Sequence, residues 1–245
     1  MIHPAAIIEP NVTLGEGCDI HAGALIRSGA VLGDRVTVHP YAVVGGDPQD
    51  LRFDAATPSG VRVGSGTVIR EHATVHRSTK AGGFTEIGEN CYLMAASHVG
   101  HDCVVGRNVI MANASLLAGH VHAGDFAFFG GGAAVHQNVV IGESVMVGGH
   151  ASLTLDIPPF VMVAGRNELA GLNLVGLRRR GFGAGTIREL KQLFREVLSG
   201  GATRGKAAAL LAAGGVSDEG RRFLGFFGRE GRGFPLFRAG REGEA

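Results

Sequence analysis

Along most of the chain every sixth residue is a small or branched apolar side chain, with polar residues and glycines between. The series starts at Ile8 and falls on Leu14, Ile20, Ile26, Leu32, Val38 and Val44. It resumes at Val63, Ile69 and Val75, runs through Ile87, Leu93, Val99, Val105, Met111 and Leu117, and closes with Phe129, Val135, Ile141, Val147 and Leu153. Ala81 and Ala123 are the weak beats. Such a period matches neither a helix nor a half-buried strand, whose side chains recur at about 3.6 and 2 residues. Internal repetition on this scale sets the architecture before any local signal does.

Three hexads are expected to close one turn of a triangular prism, each supplying a short strand, a tight corner and one inward side chain. Turns then stack at the parallel-strand spacing of about 4.8 Å. Glycine often follows the beat (positions 15, 33, 64, 88, 106, 130, 142 and 148), which suits corners of positive φ or close backbone approach. The fold class expected is all-β, a parallel β-helix of hexapeptide repeats over residues 1–165, followed by a small α-helical C-terminal domain over 166–245. The pattern resembles the hexapeptide-repeat proteins, and that resemblance implies a left-handed coil.

Two places disturb the repeat. Between Val44 and Val63 the interval is 19 instead of 18, across GGDPQDLRFDAATPSGVR, and a loop is expected to protrude there. The run KAGGF (Lys80 to Phe84) keeps phase but lacks a proper beat. Pro158 and Pro159 in DIPPFVMVAG are expected to stop strand pairing. From about Leu172 the pattern turns helical. TIRELKQLFREVLS sets Ile187, Leu190, Leu193, Phe194 and Leu198 on one face, with Thr186 as N-cap. Further helices are expected in GKAAALLAA and SDEGRRFLGFFGRE, and an irregular tail after Gly231.

Composition narrows the class. A chain of 245 residues with 45% hydrophobic residues supports a large core, while 41 glycines and no tryptophan suit a thin prism. Three cysteines (Cys18, Cys91, Cys103) argue against a disulfide framework and for a reducing compartment. MIHPAAIIEP carries no basic stretch followed by an apolar run, and no stretch of about 18 apolar residues occurs. A cytoplasmic protein with no stable membrane insertion and no nucleic-acid partner is expected. The net charge of +1 hides 9 basic and 15 acidic residues up to Ala170 against 14 basic and 7 acidic from Gly171 on. An arginine-rich C-terminal part on an acidic prism suggests that this end meets anions.

The candidate chemistry lies in the histidines. Five of those in the middle coils form the candidate cluster: His76, His98, His101, His120 and His136. His120 stands 19 residues after His101, and His136 stands 35 after it, so all three stack along one edge. Imidazoles bind zinc readily, but these candidates climb one per coil without a close pair at the needed offset. The alternative is general-base catalysis, in which an imidazole of reference pKa about 6.5 takes a proton from a hydroxyl. Asp102 directly follows His101 and could fix its tautomer, although adjacent residues on a strand face opposite ways.

The runs GGDPQDLRF, IREHATVHRST, ASHVGHDCVVG, LLAGHVHAGDFAFFGG, AAVHQNVVIG, VMVGG, DIPPFVMVAG and NLVGLRRRGF resemble the UDP-N-acetylglucosamine O-acyltransferases. The likeness covers about residues 1–182, and more loosely the tail through FLGFFGREGRG. It implies transfer of a 3-hydroxyacyl chain from acyl carrier protein to the 3-hydroxyl of UDP-N-acetylglucosamine, the opening step of lipid A biosynthesis. His101 matches the general base, with Asp102 beside it, and Gly119 matches the backbone N–H donor to the thioester oxyanion. Asp50, Arg52, His76 and His98 match sugar- and substrate-contacting positions, and His120 and His136 line the cleft. Gln137, Asn173, Arg179 and Arg180 match the nucleotide end, and Gly149 the floor of the acyl channel. No metal or other cofactor is implied, and the cleft between subunits implies a homotrimer.

The chain departs from the family pattern in several places. Arg52 replaces a lysine, Val175 an acidic residue, and the stretch from Gly165 to Asn173 is one residue short. Asn167, Glu168 and His150 stand near the places that limit acyl length. The alternatives are an amide-forming enzyme acting on a 3-amino UDP-sugar, the sister N-acyltransferase of lipid A synthesis, a coenzyme A-dependent acetyltransferase, and a non-catalytic β-helix scaffold. The sister enzyme normally carries an extra N-terminal domain, whereas here the hexads begin at about Ile8.

Overall fold

In the computed structural model, which describes residues 1–200 and 203–237, the hexads wind into a left-handed prism with three parallel-stranded faces. Face one has eight strands, from Ile7–Ile8 to Ser152–Leu153. Face two has seven, from Thr13–Leu14 to Val140–Ile141, and face three has nine, from Asp19–Ile20 to Glu168–Leu172. Apart from Glu168–Leu172, each strand pairs in parallel with the strand one turn away, as in Val75↔Val99 and Val99↔Leu117.

Two side chains per hexad point inward, where one was expected. The beat residue is buried from Ile20 onward, and so is the residue two positions before it: Cys18, Ala24, Ala30, Val36, Ala42 and their counterparts. A strand alternates its side chains, so an inward beat forces an inward residue at minus two. That second series holds alanine, cysteine, valine, serine and threonine, because near the corner the prism leaves little room.

The corners correct the expectation about glycine. Positive φ falls on the third residue after the beat, as at Asn11, Gly17, Arg35, Tyr41, Asp102 and His120. Of the glycines directly after a beat only Gly45 (φ 88°) has a positive φ; those at 15, 33, 64, 88, 106, 130, 142 and 148 do not. Close stacking explains them: a Cβ on Gly130 would lie 2.5 Å from the Gly149 amide nitrogen in the turn above. The weak beat Ala123 is a true core position, whereas Ala81 is exposed.

Both interruptions are insertions at one edge. Val44 and Val63 lie on consecutive strands, Val43–Gly46 on face one and Gly60–Val63 on face two, so residues 47–59 form a long loop within a single hexad step. The same holds for residues 77–83, between Thr74–His76 and Phe84–Ile87. The first is the protruding loop expected from the interval of 19 between Val44 and Val63.

The prolines do not end the sheet. After Pro159, Val161–Ala164 pairs in parallel with Met146–Val147, then turns back through Gly165 and Asn167 to pair antiparallel with Glu168–Leu172. The last strand of the prism therefore lies past residue 165. Four helices follow: α1 (Leu174–Arg179), α2 (Ala184–Leu198), α3 (Thr203–Ala213) and α4 (Asp218–Gly225). In α2 the expected apolar face is buried, but the N-cap is Gly183 and Thr186 lies inside the first turn. The segment after Gly231 is packed rather than loose as far as the described residues go: Phe237 stacks on Phe194, and its N–H donates to the Leu198 carbonyl. The rest of the expected irregular tail, 238–245, lies outside the described residues. No helix among the described residues is long and apolar enough to cross a membrane.

Candidate active site

The edge between faces one and two carries both inserted loops, and His101, His120 and His136 follow strands of face one on consecutive turns of that edge. The imidazoles of His101 and His120 meet edge to face, with centroids 5.0 Å apart. One turn earlier His76 and His98 meet in the same way at 4.7 Å. His136 is exposed, and its Nδ1 lies 3.2 Å from the Gln137 carbonyl.

Asp102 is the fixed point of the site. It is not on a strand: it occupies the corner with φ 59°, which turns its carboxylate back toward the preceding residue. Its Oδ2 lies 2.8 Å from His101 Nδ1, so the objection from strand alternation does not apply. Burial alone would raise the pKa of this carboxyl. Hydrogen bonds from Ser78, Thr79 and His101 outweigh burial and hold it well below the usual carboxylate range. His101 therefore has an anion behind Nδ1, which leaves Nε2 facing outward as the acceptor.

Gly119 closes on that acceptor. A Cβ there would lie 2.5 Å from both Cε1 and Nε2 of His101, so only glycine admits the imidazole in this position. At the same corner position of other turns the backbone N–H binds carboxylates: Glu16 N–H to Asp34 at 2.9 Å, Ser28 N–H to Glu9 at 2.9 Å, and Arg107 N–H to Asp125 at 2.8 Å. These amides point out of the ladder toward anions. Among the described residues nothing takes the N–H of Gly119.

The flanking imidazoles are driven neutral. Burial, with the charge of neighbouring histidines second, pushes His76 down to about 4, and burial likewise lowers His98 and His120. His98 Nδ1 shares a hydrogen with Thr74 Oγ1 at 2.8 Å, whereas the buried Nδ1 of His76 has no partner. The 47–59 loop brings Asp50 to this group, close enough for the charge of His101 to act on it. The Arg52 backbone N–H and guanidinium hold Asp50 ionised, and Arg52 itself is 90% exposed. Arg77 pins the loop by donating to Asp47 and to the carbonyls of Ala55 and Thr57.

Arg77, Ser78, Thr79 and Lys80 are the site residues that sequence reasoning passed over. The run HRSTKAGG carries their signal, since KAGGF disturbs the repeat there, but the kept phase gives no sign of an inserted loop. Among the described residues the only three side chains grouped closely enough to hold a metal are His101, Asp102 and His120. Both Asp102 oxygens already accept hydrogen bonds from Ser78, Thr79 and His101, so the donor set is that of a hydrogen-bonded dyad.

The remaining candidates lie on other edges of the same chain. Asn173 caps α1 by accepting from Gly176 N–H at 3.0 Å, and its amide donates to the Ser144 carbonyl at 2.9 Å. Arg180 bonds Ser144 Oγ, pairs with Glu143 at 3.5 Å and stacks on Phe126. These contacts sit at the edge between faces two and three, where Arg179 is exposed. Gly149 and His150 are exposed at the edge between faces three and one. Gln137 stays on the histidine edge, where its carbonyl accepts from Arg232 at 3.3 Å.

Residues 156–234 match the family described as UDP N-acetylglucosamine O-acyltransferase, domain 2, and residues 84–119 match the bacterial transferase hexapeptide repeats. The acyl-(acyl-carrier-protein)–UDP-N-acetylglucosamine O-acyltransferase of Campylobacter concisus is 40% identical over 198 residues, covering 80% of this chain and 75% of the relative. The protein of the same description from Burkholderia orbicola is 44% identical over 184 residues, covering 73% and 70%. Among solved structures, a UDP-N-acetylglucosamine acyltransferase from Campylobacter jejuni superimposes with a TM-score of 0.87 at 36% identity, covering 97% of this chain and 100% of that one. Another from Bacteroides fragilis gives 0.87 at 31% identity, covering 96% and 99%.

Proposed function

The chain belongs to the acyl-(acyl-carrier-protein)–UDP-N-acetylglucosamine O-acyltransferase family, and on that premise we propose how its residues carry the transfer. The enzyme moves a 3-hydroxyacyl chain from acyl carrier protein to the 3-hydroxyl of UDP-N-acetylglucosamine, the first step of lipid A biosynthesis. His101 Nε2 takes the hydroxyl proton as the sugar oxygen bonds to the thioester carbon. The Gly119 N–H receives the developing oxyanion. The C–S bond then breaks, and the proton on Nε2 passes to the departing thiolate. Asp102 fixes the tautomer of His101 and stabilises the imidazolium. Asp50, Arg52, His76 and His98 hold the sugar, His120 and His136 line the cleft, and Gln137, Asn173, Arg179 and Arg180 serve the nucleotide, where guanidinium forks suit a diphosphate. The reaction takes place in the cytoplasm.

The observation that carries this reading is the dyad of His101 and Asp102 closed against Gly119. Mass spectrometry of the product from UDP-N-acetylglucosamine and a panel of acyl carrier protein thioesters tests it. An acylated nucleotide sugar is expected, and no product from any donor would overturn the assignment.

The active unit is a homotrimer with shared clefts. Within one chain the histidines, the Asn173–Arg180 group and Gly149 occupy three different edges, and association of copies is what brings such edges together. A single edge also offers only a shallow groove, whereas a water-excluding site needs a second wall. Sedimentation is expected to give a trimer at micromolar protein. A stable monomer with full activity would end this idea.

Gly149 forms the floor of the acyl channel. A Cβ there would touch only the Gly131 carbonyl, at 3.4 Å, so a side chain fits without disturbing the prism. Each buried CH₂ of substrate contributes roughly 0.8 kcal/mol. Gly149→Met should therefore disfavour long acyl chains by several kcal/mol, about 0.8 for each carbon it displaces, while sparing short ones. Competition among donors of graded length checks this. An unchanged preference would move the ruler toward His150 or the turn at Asn167 and Glu168.

A further inference from the structure

Asp102 accepts more hydrogen bonds than orienting one imidazole requires. Its Oδ1 takes the Ser78 hydroxyl at 2.5 Å. Its Oδ2 takes the Thr79 hydroxyl at 2.7 Å and the Thr79 N–H at 3.2 Å, besides His101 Nδ1 at 2.8 Å. Its own N–H donates to Thr85 Oγ1 at 2.8 Å. Ser78 is 1% exposed, and its oxygen accepts from the Lys80 N–H at 3.0 Å, so its proton is aimed at the carboxylate. Both hydroxyls come from residues 77–83, the shorter of the two insertions at this edge.

We infer that Ser78 and Thr79 are positioning residues of the acyl transfer, acting through Asp102 on His101. This rests on the reading of His101 as the base. A buried carboxylate is tolerated when its lone pairs are satisfied, and here the insertion satisfies them. The two hydroxyls divide the work. Ser78 alone bonds Oδ1 and so sets the rotation of the carboxylate. Thr79 shares Oδ2 with His101, so it withdraws part of the negative charge that the imidazole would otherwise receive. A loop that served only to anchor the chain would have no reason to compete for the oxygen facing the base.

The two roles predict different defects. Thr79→Val keeps the shape and the backbone N–H and removes the hydroxyl, leaving His101 the shortest donor on Oδ2. The protonated imidazole gains, and the acidic limb of the kcat/KM profile moves up by about half a pH unit, which corresponds to a factor of about three in proton affinity. Thr79→Ser restores the hydroxyl and the wild-type limb. Ser78→Ala frees the carboxylate to rotate and lowers kcat about tenfold, with KM for UDP-N-acetylglucosamine unchanged, since positioning losses fall on the chemical step. The other groups facing the dyad, namely His76, His98, His120, Asp50 and Lys80, are the same in every variant, so the difference reports on Asp102.

The test is pH-dependent kinetics of the full-length enzyme with 3-hydroxyacyl carrier protein and UDP-N-acetylglucosamine, for wild type, the three variants and His101→Ala. Superimposable profiles for Thr79→Val and wild type, with His101→Ala inactive, would overturn this inference and leave the base assignment standing. An active His101→Ala would remove both. If Ser78→Ala fails to fold, the comparison of Thr79→Val with Thr79→Ser decides alone.

Discussion

His101→Ala should abolish turnover and leave the prism intact. The side chain lies at the edge, outside the core of stacked beats, and the backbone there keeps its bond from His120 N–H to the His101 carbonyl at 2.9 Å. Loss of a general base typically costs about 10²–10⁴-fold in rate. Here the loss should lie at the upper end, because the flanking histidines are poor substitutes: burial lowers His76, His98 and His120 alike, and none has a carboxylate within bonding distance. His120 Nε2 comes only within 3.8 Å of Asp102. His120→Ala and His136→Ala should therefore weaken substrate handling more mildly. The measurement is kcat/KM for acyl transfer beside thermal unfolding. More than half of wild-type kcat/KM in His101→Ala would show that the base is another residue.

The prism was legible in the sequence because one dominant force wrote it. Burial of a single apolar position per hexad repeats over twenty strands, and a periodic core leaves a periodic trace. The second inward series was harder to see, since Cys18, Ala24, Thr67 and Ser97 share no polarity, only small volume. The histidine column was legible for the same geometric reason as the core, through intervals near one and two turns. What spacing could not show is chemistry held in loops. Residues 47–59 and 77–83 obey no period, so the arrival of Asp50, Ser78 and Thr79 at His101 follows from how the chain leaves and rejoins one edge. Asp102 is legible as the neighbour of His101, but strand alternation argues against their contact, because the left-handed corner that redirects its side chain carries no residue signature: Arg35, Tyr41, Ala96 and Phe126 adopt it too. Past residue 165 the antiparallel strand Glu168–Leu172 follows from no period, and the two prolines that suggest a terminus lie before one more parallel strand, the reversal coming at Gly165 and Asn167.

Gly119→Ala should cost the enzyme about 10²-fold in rate, less than loss of the base and by a different route. The added methyl would sit 2.5 Å from His101 Cε1 and Nε2, well inside van der Waals contact. The neighbour it meets is the far end of a side chain, so the imidazole can swing aside and the fold should survive with little change in Tm. Swinging aside breaks the 2.8 Å bond to Asp102 and carries Nε2 away from the attacking hydroxyl. A displacement of about 1 Å at a reacting group can cost about 10²-fold. The N–H of residue 119 remains in the alanine variant, so oxyanion stabilisation is not itself removed. This separates the two contributions of Gly119 in a double-mutant cycle. If the methyl acts by displacing the base, adding Gly119→Ala to His101→Ala should lower the residual rate no further. If the backbone donor is disturbed as well, the double variant should lose about another 10²–10³-fold, the loss typical of one oxyanion donor. A Gly119→Ala enzyme that keeps more than half of wild-type kcat would show that the imidazole does not work in the position where it rests against Gly119.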